Sequence, residues 1–426
     1  MSGPLNVSLP NSGMRRGGNS TVAVPPKQNR IPLSSVSKVH YIPPNAGVTS
    51  SAWTSAGTFL DFEIPNGIGV LRRTSLRLDV NNTDTELLLP PCPFLIQQIE
   101  VTVGSTLLET LYPNDIYNET VGFLNNDEVQ AQSAPLLYEG SYVSPRTHRV
   151  ARTGNFTTYI PFNNVLTCCK FFCDGVNETI KFRVYFPAGM VNTNTTSLSA
   201  ANLVVEEDVG TANDRKRWTA ASSTGTVYST VVRQRMNTTI IKSNTTDYTL
   251  ELTGVAGSSA GFLVYAGPVV TPGTGNTSYC DNVSAPPEFL PVPSNSLLPV
   301  RFAIFSLELD DQMGNKRTET LRGDHLISFV WTDQVGTSFA ALQDNNVYPL
   351  SFSANFRDAV ETGVYQGHLK TNGRDRLVIR GNCHNPNLST DTWSFTVTNY
   401  CYQALVVRGN KLIEVLKNPH ASDMLI

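Results

Sequence analysis

The chain repeats one pattern of residues about half its length apart. In each copy, a triplet with a central Glu is followed by a glycine turn and a Glu-Thr-Leu triplet. The first copy spans residues 99–111 with its turn at Gly104, and the second spans 307–321 with its turn at Gly314. The spacing between the two copies, about half of the 426-residue chain, is far longer than the roughly 20–50 residues of solenoid repeats. The repeat therefore predicts two copies of one domain, each with a strand, a turn and a second strand, the second turn being two residues longer.

Each copy continues into a segment with the composition of a short helix, residues 114–116 in the first and 324–326 in the second. We predict short helices at about 114–124, 125–132 and 324–330. The 30 Gly and 26 Pro residues indicate many turns and few long helices.

Elsewhere, apolar and polar residues alternate with a period of two, which is typical of half-buried antiparallel strands. In the first half, the apolar positions include Leu60, Phe62, Ile64, Leu76, Leu78, Val80, Ile180, Phe182 and Val184. In the second half, they include Tyr248, Leu250, Leu252, Trp393, Phe395 and Val397. Two strand-rich units with few helices predict an all-β chain of two sandwiches.

A change in composition near the middle of the chain marks the boundary between the two units. The apolar residues 203–205 give way to the acidic 206–208 and the charged 214–217, a composition typical of a linker. We predict a flexible basic arm over 1–45, a first sandwich over 46–208, a linker over 209–226 and a second sandwich over 227–426. Within the second sandwich, residues 267–299 are predicted to form a long loop, since they are rich in Pro, Gly, Asn and Ser.

The N-terminal arm carries an unusual charge for this chain, whose formal net charge is −3. No acidic residue precedes Asp61, whereas the basic residues of the arm are Arg15, Arg16, Lys27, Arg30 and Lys38. A solvated tail is one interpretation of this segment. The other is an arm on the inner face of an assembly that docks against neighbouring subunits, an anionic membrane or packaged nucleic acid.

No catalytic, cofactor-binding or metal site is predicted. Residues 257–261 match the Gly-x-Ser-x-Gly elbow of hydrolases, but a strand pattern follows where that motif needs a helix, which favours a hairpin turn. Cys168, Cys169 and Cys173 lack the spacing of zinc ligands, which favours buried thiols. Residues 310–315 resemble part of a calcium loop without its closing Glu, which again favours a turn.

The sequence also shows whether the chain contains a recognisable signal peptide or membrane span. The N-terminus has no apolar stretch resembling a signal peptide, and no run approaches the ~20 apolar residues of a membrane span. We therefore expect no secretion through a signal peptide, and we interpret the twelve Asn-x-Ser/Thr sequons as a by-product of an Asn- and Thr-rich β surface.

Several segments resemble viral major capsid proteins of the double jelly-roll lineage. Residues 57–65, 76–80 and 99–115 are similar to the first jelly roll of that family, and residues 347–352 and 372–379 are similar to the later part of the second. The lineage includes adenovirus hexon, tailless membrane-containing phages, virophages and large eukaryotic DNA viruses. The compact size is most similar to the capsid proteins of polinton-like viruses and virophages.

This resemblance implies an all-β fold of two tandem eight-stranded antiparallel jelly rolls with a few short helices in loops. It also implies homotrimers with a pseudo-hexagonal outline, which build the icosahedral capsid of a double-stranded DNA virus inside the host cell. The implied partners are further copies of the chain, penton and minor capsid proteins, and an internal membrane or packaged DNA through the arm. The family implies no enzymatic activity, no catalytic residue and no cofactor.

Two other functions are compatible with tandem sandwiches. A carbohydrate-binding adhesin or virion spike is favoured by the sequons and by the aromatic residues Trp53, Trp218, Trp331 and Trp393. A glycoside hydrolase requires two carboxylates roughly 5–10 Å apart in a cleft, which a sequence does not reveal.

Overall fold

A computed structural model gives the fold of most of the chain. The described residues are 37–47, 49–55, 57–83, 87–89, 92–122, 150–152, 154–188, 193–236, 239–242, 247–268, 301–311, 313–318, 320–322, 347–384 and 392–417. The predicted helices at 125–132 and 324–330, and residues 269–299 of the predicted loop, lie outside these ranges.

The first sandwich consists of two four-stranded antiparallel sheets and a small ribbon. Its strands are β1 (Ser37–Ile42), β2 (Phe59–Glu63), β3 (Val70–Asn82), β4 (Leu87–Leu89), β5 (Gln98–Val103), β6 (Thr106–Leu111), β7 (Val150–Arg152), β8 (Phe156–Phe162), β9 (Ile180–Tyr185) and β10 (Thr196–Asp208). One sheet has the order β1-β10-β3-β8, the other has the order β2-β9-β5-β6, and β4 pairs with β7. Two four-stranded sheets give the eight strands of a jelly roll.

The second sandwich is one continuous hydrogen-bonded network. Its strands are β11 (Thr226–Arg235), β12 (Thr239–Lys242), β13 (Asp247–Pro268), β14 (Arg301–Asp310), β15 (Leu321–Arg322), β16 (Val347–Ser351), β17 (Leu369–His384), β18 (Thr392–Arg408) and β19 (Lys411–Lys417). The order is β11-β18-β13-β17-β14-β15, with β12 and β19 beside β18 and β16 beside β13. The network is continuous because β13, with 22 residues, and β18, with 17, pair with different strands along their lengths.

The helices are short and lie between strands. They are α1 (Pro113–Gly122), α2 (Val165–Cys168), α3 (Ala212–Thr224) and α4 (Phe356–Thr362), with 3-10 turns at Thr49–Ser51, Cys92–Leu95 and Cys173–Gly175. Helix α1 confirms the helix predicted at 114–124. No helix in the described ranges is both long and apolar enough to cross a membrane.

The predicted alternation of buried and exposed positions is confirmed in the first sandwich. Leu76, Leu78 and Val80 of β3 point into the core, as do Phe182 and Val184 of β9. Burying each such side chain contributes about 1.5–3 kcal/mol to folding. The strands therefore form where alternation of apolar and polar residues allows one whole face of the strand to be buried.

The two copies of the repeated hairpin have the same register. In the first copy Ile99 pairs with Leu111, and in the second Leu307 pairs with Leu321. The triplets that match in the sequence thus occupy matching places in the two sandwiches.

Two predicted boundaries contain structure that the sequence pattern did not indicate. Within the predicted arm 1–45, residues 37–42 form β1, an edge strand whose residues are mostly exposed and therefore lack a clear apolar alternation. Within the predicted linker 209–226 lies α3, a polar helix that begins at a capping box between Thr211 and Asp214. The division at 46–208 and 227–426 stays a prediction.

The predicted hairpin turn at 257–261 is wrong, because these residues lie inside β13. Register shifts before the segment, at 253–257, and within it, at 259–261, show that the strand is bulged there. A Cβ on Gly261 would lie 2.6 Å from the carbonyl oxygen of Leu350, so a glycine permits the close approach of β16. The small residues at 257–261 therefore allow neighbouring strands to pack closely against β13.

Candidate functional site: the junction between the two sandwiches

The two sandwiches share one buried apolar cluster. Tyr228 and Val232 of β11 and Leu405 and Val407 of β18 belong to the same core cluster as the residues of the first sandwich. The ring of Tyr228 lies 4.9 Å from that of Phe171, between centroids. The second sandwich is therefore packed against the first through buried apolar side chains.

A buried ion cluster lies beside this apolar contact. Arg233 of β11 binds two carboxylates of the first sandwich, Glu109 of β6 and Glu119 of α1. Its Nη1 lies 2.9 Å from Oε1 of Glu109, its Nη2 lies 2.6 Å from Oε2 of Glu119, and its Nε also donates to Glu119. The side chains of Arg233 and Glu109 are 2% and 0% exposed. The charges that join the sandwiches are thus removed from water.

Backbone and neutral groups complete the hydrogen bonding of the cluster. The amides of Arg233 and Val165 donate to the two oxygens of Glu109 at 3.0 and 2.8 Å. The hydroxyl of Tyr400 donates to Glu119 at 2.8 Å, and that of Thr398 donates to Asp115 at 2.6 Å. Buried ions need such additional partners, because their mutual attraction alone does not offset lost hydration.

Local sequence explains how these side chains converge. Pro113 is the first residue of α1, a position where its missing N–H costs no helical hydrogen bond. Asp115 and Glu119 are four residues apart and therefore share one face of α1. On the other side, Arg233 pairs with Tyr400 across β11 and β18.

Burial and neighbouring charges shift the pKa values of the ionisable groups in the cluster. It raises the pKa of Glu109 above its ordinary range despite the nearby Arg233. Burial also raises the pKa of Asp115 to about 6, against the hydrogen bond from Thr398. For Arg233, burial opposes the charge, but Glu119 and Glu109 raise its pKa well above the ordinary value. Arg233 is therefore a permanent cation at the junction.

Further polar contacts extend the junction on both sides of the ion cluster. The Thr230 hydroxyl donates to the Val165 carbonyl at 2.8 Å, next to α2. At the far side, the amide of Leu412 donates to Glu178 at 2.7 Å, and that of Asn177 donates to the Asn410 carbonyl at 2.8 Å. This arrangement can hold two domains in a fixed orientation.

Of the five basic arm residues, the structure describes Lys38 alone. Arg15, Arg16, Lys27 and Arg30 lie outside the described residues. Lys38 lies exposed in β1, opposite Glu207 of β10. The role assigned to these five residues stays a prediction.

The interpretations of Cys168, Cys169 and Cys173 as buried thiols and of residues 310–315 as a turn are confirmed. Cys168, Cys169 and Cys173 are buried and carry thiols outside any disulfide. Asp311 accepts hydrogen bonds from the amides of Met313 and Asn315, which closes a turn after β14. Among the residues with described positions, no three His, Cys, Asp or Glu side chains are grouped as metal ligands.

Sequence reasoning missed the junction, although one signal pointed to it. Glu109 belongs to the repeated Glu-Thr-Leu triplet, a pattern that predicts only that it lies in a strand. Its partner Arg233 is 124 positions away along the chain, so no local pattern pairs them.

Sequence comparisons and structural comparisons differ sharply for this chain. No protein-family model matches it, and no curated protein matches it in sequence. PBCV-1 VP54, in a crystal structure fitted into a reconstruction of the virophage Sputnik, matches with a TM-score of 0.64 at 11% identity, covering 88% of this chain and 96% of that one. The Faustovirus major capsid protein matches with a TM-score of 0.58 at 9% identity, covering 94% and 93%.

A structure of the Sputnik virophage matches with a TM-score of 0.53 at 10% identity, over 99% of this chain and 95% of that one. These three matches cover 88–99% of this chain and therefore include both sandwiches. The chain therefore has the double jelly-roll fold of viral major capsid proteins, the lineage that its sequence segments resemble.

Proposed function

We propose that this protein is a structural major capsid protein, which assembles with copies of itself into the shell of a virus. The observation that carries the proposal is the likeness to capsid proteins over 88–94% of the chain, both sandwiches included. The buried junction supports it, because a rigid two-domain building block suits a lattice. In this role the chain acts through assembly and catalyses no reaction.

The finer proposal is a homotrimer with a pseudo-hexagonal outline. Three chains with two similar sandwiches each present six similar sides, which lets one protein tile a shell. Such capsomers form the icosahedral capsid of a double-stranded DNA virus, where they contact neighbouring capsomers, penton proteins and minor capsid proteins. We place the protein in the virion, assembled inside the host cell.

The arm and the domain limits belong to the same proposal. An arm with Arg15, Arg16, Lys27 and Arg30 suits the inner face of the shell, beside a membrane or packaged DNA. Lys38, at the start of the folded part, continues that positive charge.

The aromatic residues do not favour the adhesin alternative. Trp53 is 1% exposed and donates its indole N–H to the Leu95 carbonyl at 2.7 Å. The ring of Trp218 packs against Phe172 at 5.3 Å between centroids. A sugar-binding platform needs an open ring face, and Trp331 and the side chain of Trp393 lie outside the described part of the chain.

Light scattering on the purified protein, followed by negative-stain imaging, tests the proposal. We expect a particle of three times the chain mass of 46.6 kDa, with a six-sided outline. Because obligate interfaces typically bury more than ~2,000 Å², dissociation should require denaturant. A stable monomer at high concentration would contradict the proposed function.

A further inference from the structure

One end of the first sandwich is built from the ends of several strands and one helix. Ser37 at the start of β1 pairs with Asp208 at the end of β10, and Val70 at the start of β3 also pairs with Asp208. The amide of Gly210 then donates to the Asp208 carboxylate at 3.0 Å, just before α3 begins. The starts of β1 and β3, the end of β10 and helix α3 therefore lie together.

The loops of the other elements join the same end. The backbone amide of Gly409, in the turn between β18 and β19, donates to the Ser223 carbonyl of α3 at 3.0 Å. The Lys170 ammonium donates to the Arg72 carbonyl at the start of β3 at 3.3 Å. This surface thus includes the turn after Arg408 and the segment around Lys170.

Positive side chains are concentrated here, and we define the basic end by Lys38, Arg73, Lys170, Lys216, Arg217 and Arg408. Arg72 and Arg73 share a single carboxylate, that of Glu206, at 3.4 and 3.9 Å. The Arg73 side chain is 82% exposed.

Helix α3 carries three basic residues, Arg215, Lys216 and Arg217, and one acidic residue, Asp214, whose pKa is lowered by hydrogen bonds from Thr211 and to a smaller extent by the charge of Arg217. Lys216 and Arg217 are exposed on α3, and neither forms a salt bridge with a carboxylate in the described ranges. Burial lowers the pKa of Lys170, and the charges of Arg72 and Arg73 lower it further. The carboxylates at this end are those of Asp174, Glu206, Glu207, Asp208 and Asp214. With Arg72 and Arg215 counted, eight basic side chains face these five acidic ones, which leaves a surplus of positive charge in a chain whose formal net charge is −3.

The sequence before β1 adds to this charge. Residues 1–36 contain Arg15, Arg16, Lys27 and Arg30 and no acidic residue. They precede Ser37, the first residue of β1, which pairs with Asp208. A segment with four basic residues and no acidic one is thus attached next to the basic end.

The form of the basic end favours nucleic acid over a lipid surface. A helix that lies in a membrane interface needs an apolar face opposite its basic face. The large apolar residue of α3 is Trp218, and its ring is packed against Phe172 and close to Gly210. Basic side chains without a free apolar face suit phosphate oxygens, which are contacted by charge and hydrogen bonding alone.

We infer that the basic end binds the phosphate backbone of duplex nucleic acid without sequence preference, with Lys216 and Arg217 of α3 in direct contact. This binding is a property of the folded chain in solution. Only the orientation of the basic end toward a packaged genome rests on the proposed function.

Fluorescence anisotropy with a labelled DNA duplex of about 30 base pairs, titrated with the full-length protein between about 50 and 200 mM salt, tests this inference. We expect binding that weakens with salt. The variant K216E/R217E should bind about tenfold or more weakly, and its log–log salt slope should fall by about 2, since two phosphate contacts are lost. Both positions are exposed on a helix, so thermal unfolding should be little changed.

The variant R357E/K370E is the matched control, because it makes the same change in net charge on the second sandwich. It should bind like the unaltered protein apart from a small general loss. Equal weakening in both variants, or no duplex binding at about 50 mM salt, overturns the inference. Binding to vesicles of phosphatidylserine and phosphatidylcholine without binding to the duplex overturns it in favour of a membrane.

Light scattering on the same samples separates this inference from the proposed function. Trimers that fail to bind DNA contradict only the role of the basic end. Monomers that bind DNA contradict only the capsomer.

Discussion

The repeated hairpins each contain a buried carboxylate, Glu109 in the first copy and Glu308 in the second, at positions that do not correspond, since Glu308 matches Glu100. In the first copy, Glu109 of β6 is buried against Arg233 of the other sandwich. In the second copy, Glu308 of β14 is enclosed by Arg380 and Lys316, whose side chains are 47% and 56% exposed. One hairpin joins the two sandwiches, and the other carries a cluster of charges at the surface.

The two buried carboxylates have pKa shifts of opposite sign. Burial raises the pKa values of Glu109 and of Asp115 beside it in the junction. For Glu308, burial acts in the same direction, but hydrogen bonds from Lys316, Arg380 and Thr320 outweigh it and lower the pKa to about 2. The sign of the pKa shift at a buried carboxylate thus depends on whether its hydrogen-bonding and charged partners outweigh the effect of burial.

The largest expected effect is at the junction. Arg233→Met leaves Glu109 and Glu119 buried without their cation, and breaking such a pair costs about 3–5 kcal/mol of the free energy of unfolding. Urea denaturation of the variant and the unaltered protein measures the difference.

Arg380→Met is the matched control in the second copy. Glu308 keeps Lys316 and Thr320 as partners there, and the Arg380 side chain is half exposed, so the cost should be about 0–1 kcal/mol. Similar costs for the two variants would show that the two hairpins are not energetically different.

A smaller effect concerns pH. The pKa of Asp115 in the fold is about 6, above its ordinary 3.8, so this group favours folding fully below pH 3.8 and loses that contribution as pH rises through 6. Asp115→Asn keeps an acceptor for Thr398 and removes the titration. Its stability relative to the unaltered protein should rise by about 3 kcal/mol between pH 4 and 7. Thermal unfolding across that range measures it.

Glu308→Gln tests the opposite sign in the second copy. The pKa of Glu308 in the fold is lowered from 4.5 to about 2, so its contribution is present above pH 4.5 and is lost as pH falls through 2. This variant should therefore lose stability relative to the unaltered protein as pH rises. A pH profile with the same sign for both variants would contradict the contrast between the two copies.

The strands and the repeat were predictable because they depend on short-range pattern. The alternation of Leu76, Leu78 and Val80 requires only that one face of β3 be buried. Helix α3 was missed because its charged residues 214–217 were interpreted as a linker, although Thr211 and Asp214 formed a recognisable capping box. The junction was not predictable, since pairing Glu109 with Arg233 requires the arrangement of both sandwiches.

The smallest expected effect compares the two turns. Gly104 and Gly314 both have positive φ, 58° and 81°, where an alanine costs about 1–2 kcal/mol. A Cβ on Gly104 would lie 2.9 Å from a carboxylate oxygen of Glu178, whereas a Cβ on Gly314 would meet only Arg376, at 3.7 Å. Glu178 also accepts the amide of Leu412 in the second sandwich.

Gly104→Ala should therefore cost about 2 kcal/mol and Gly314→Ala about 1 kcal/mol, as measured by urea denaturation. Adding Glu178→Ala to each variant tests whether contact with Glu178 causes the excess cost of Gly104→Ala over Gly314→Ala. If the Glu178 contact carries it, the Gly104 cost should fall to that of Gly314 in this background. An excess that persists without Glu178 would have to come from the shorter turn itself.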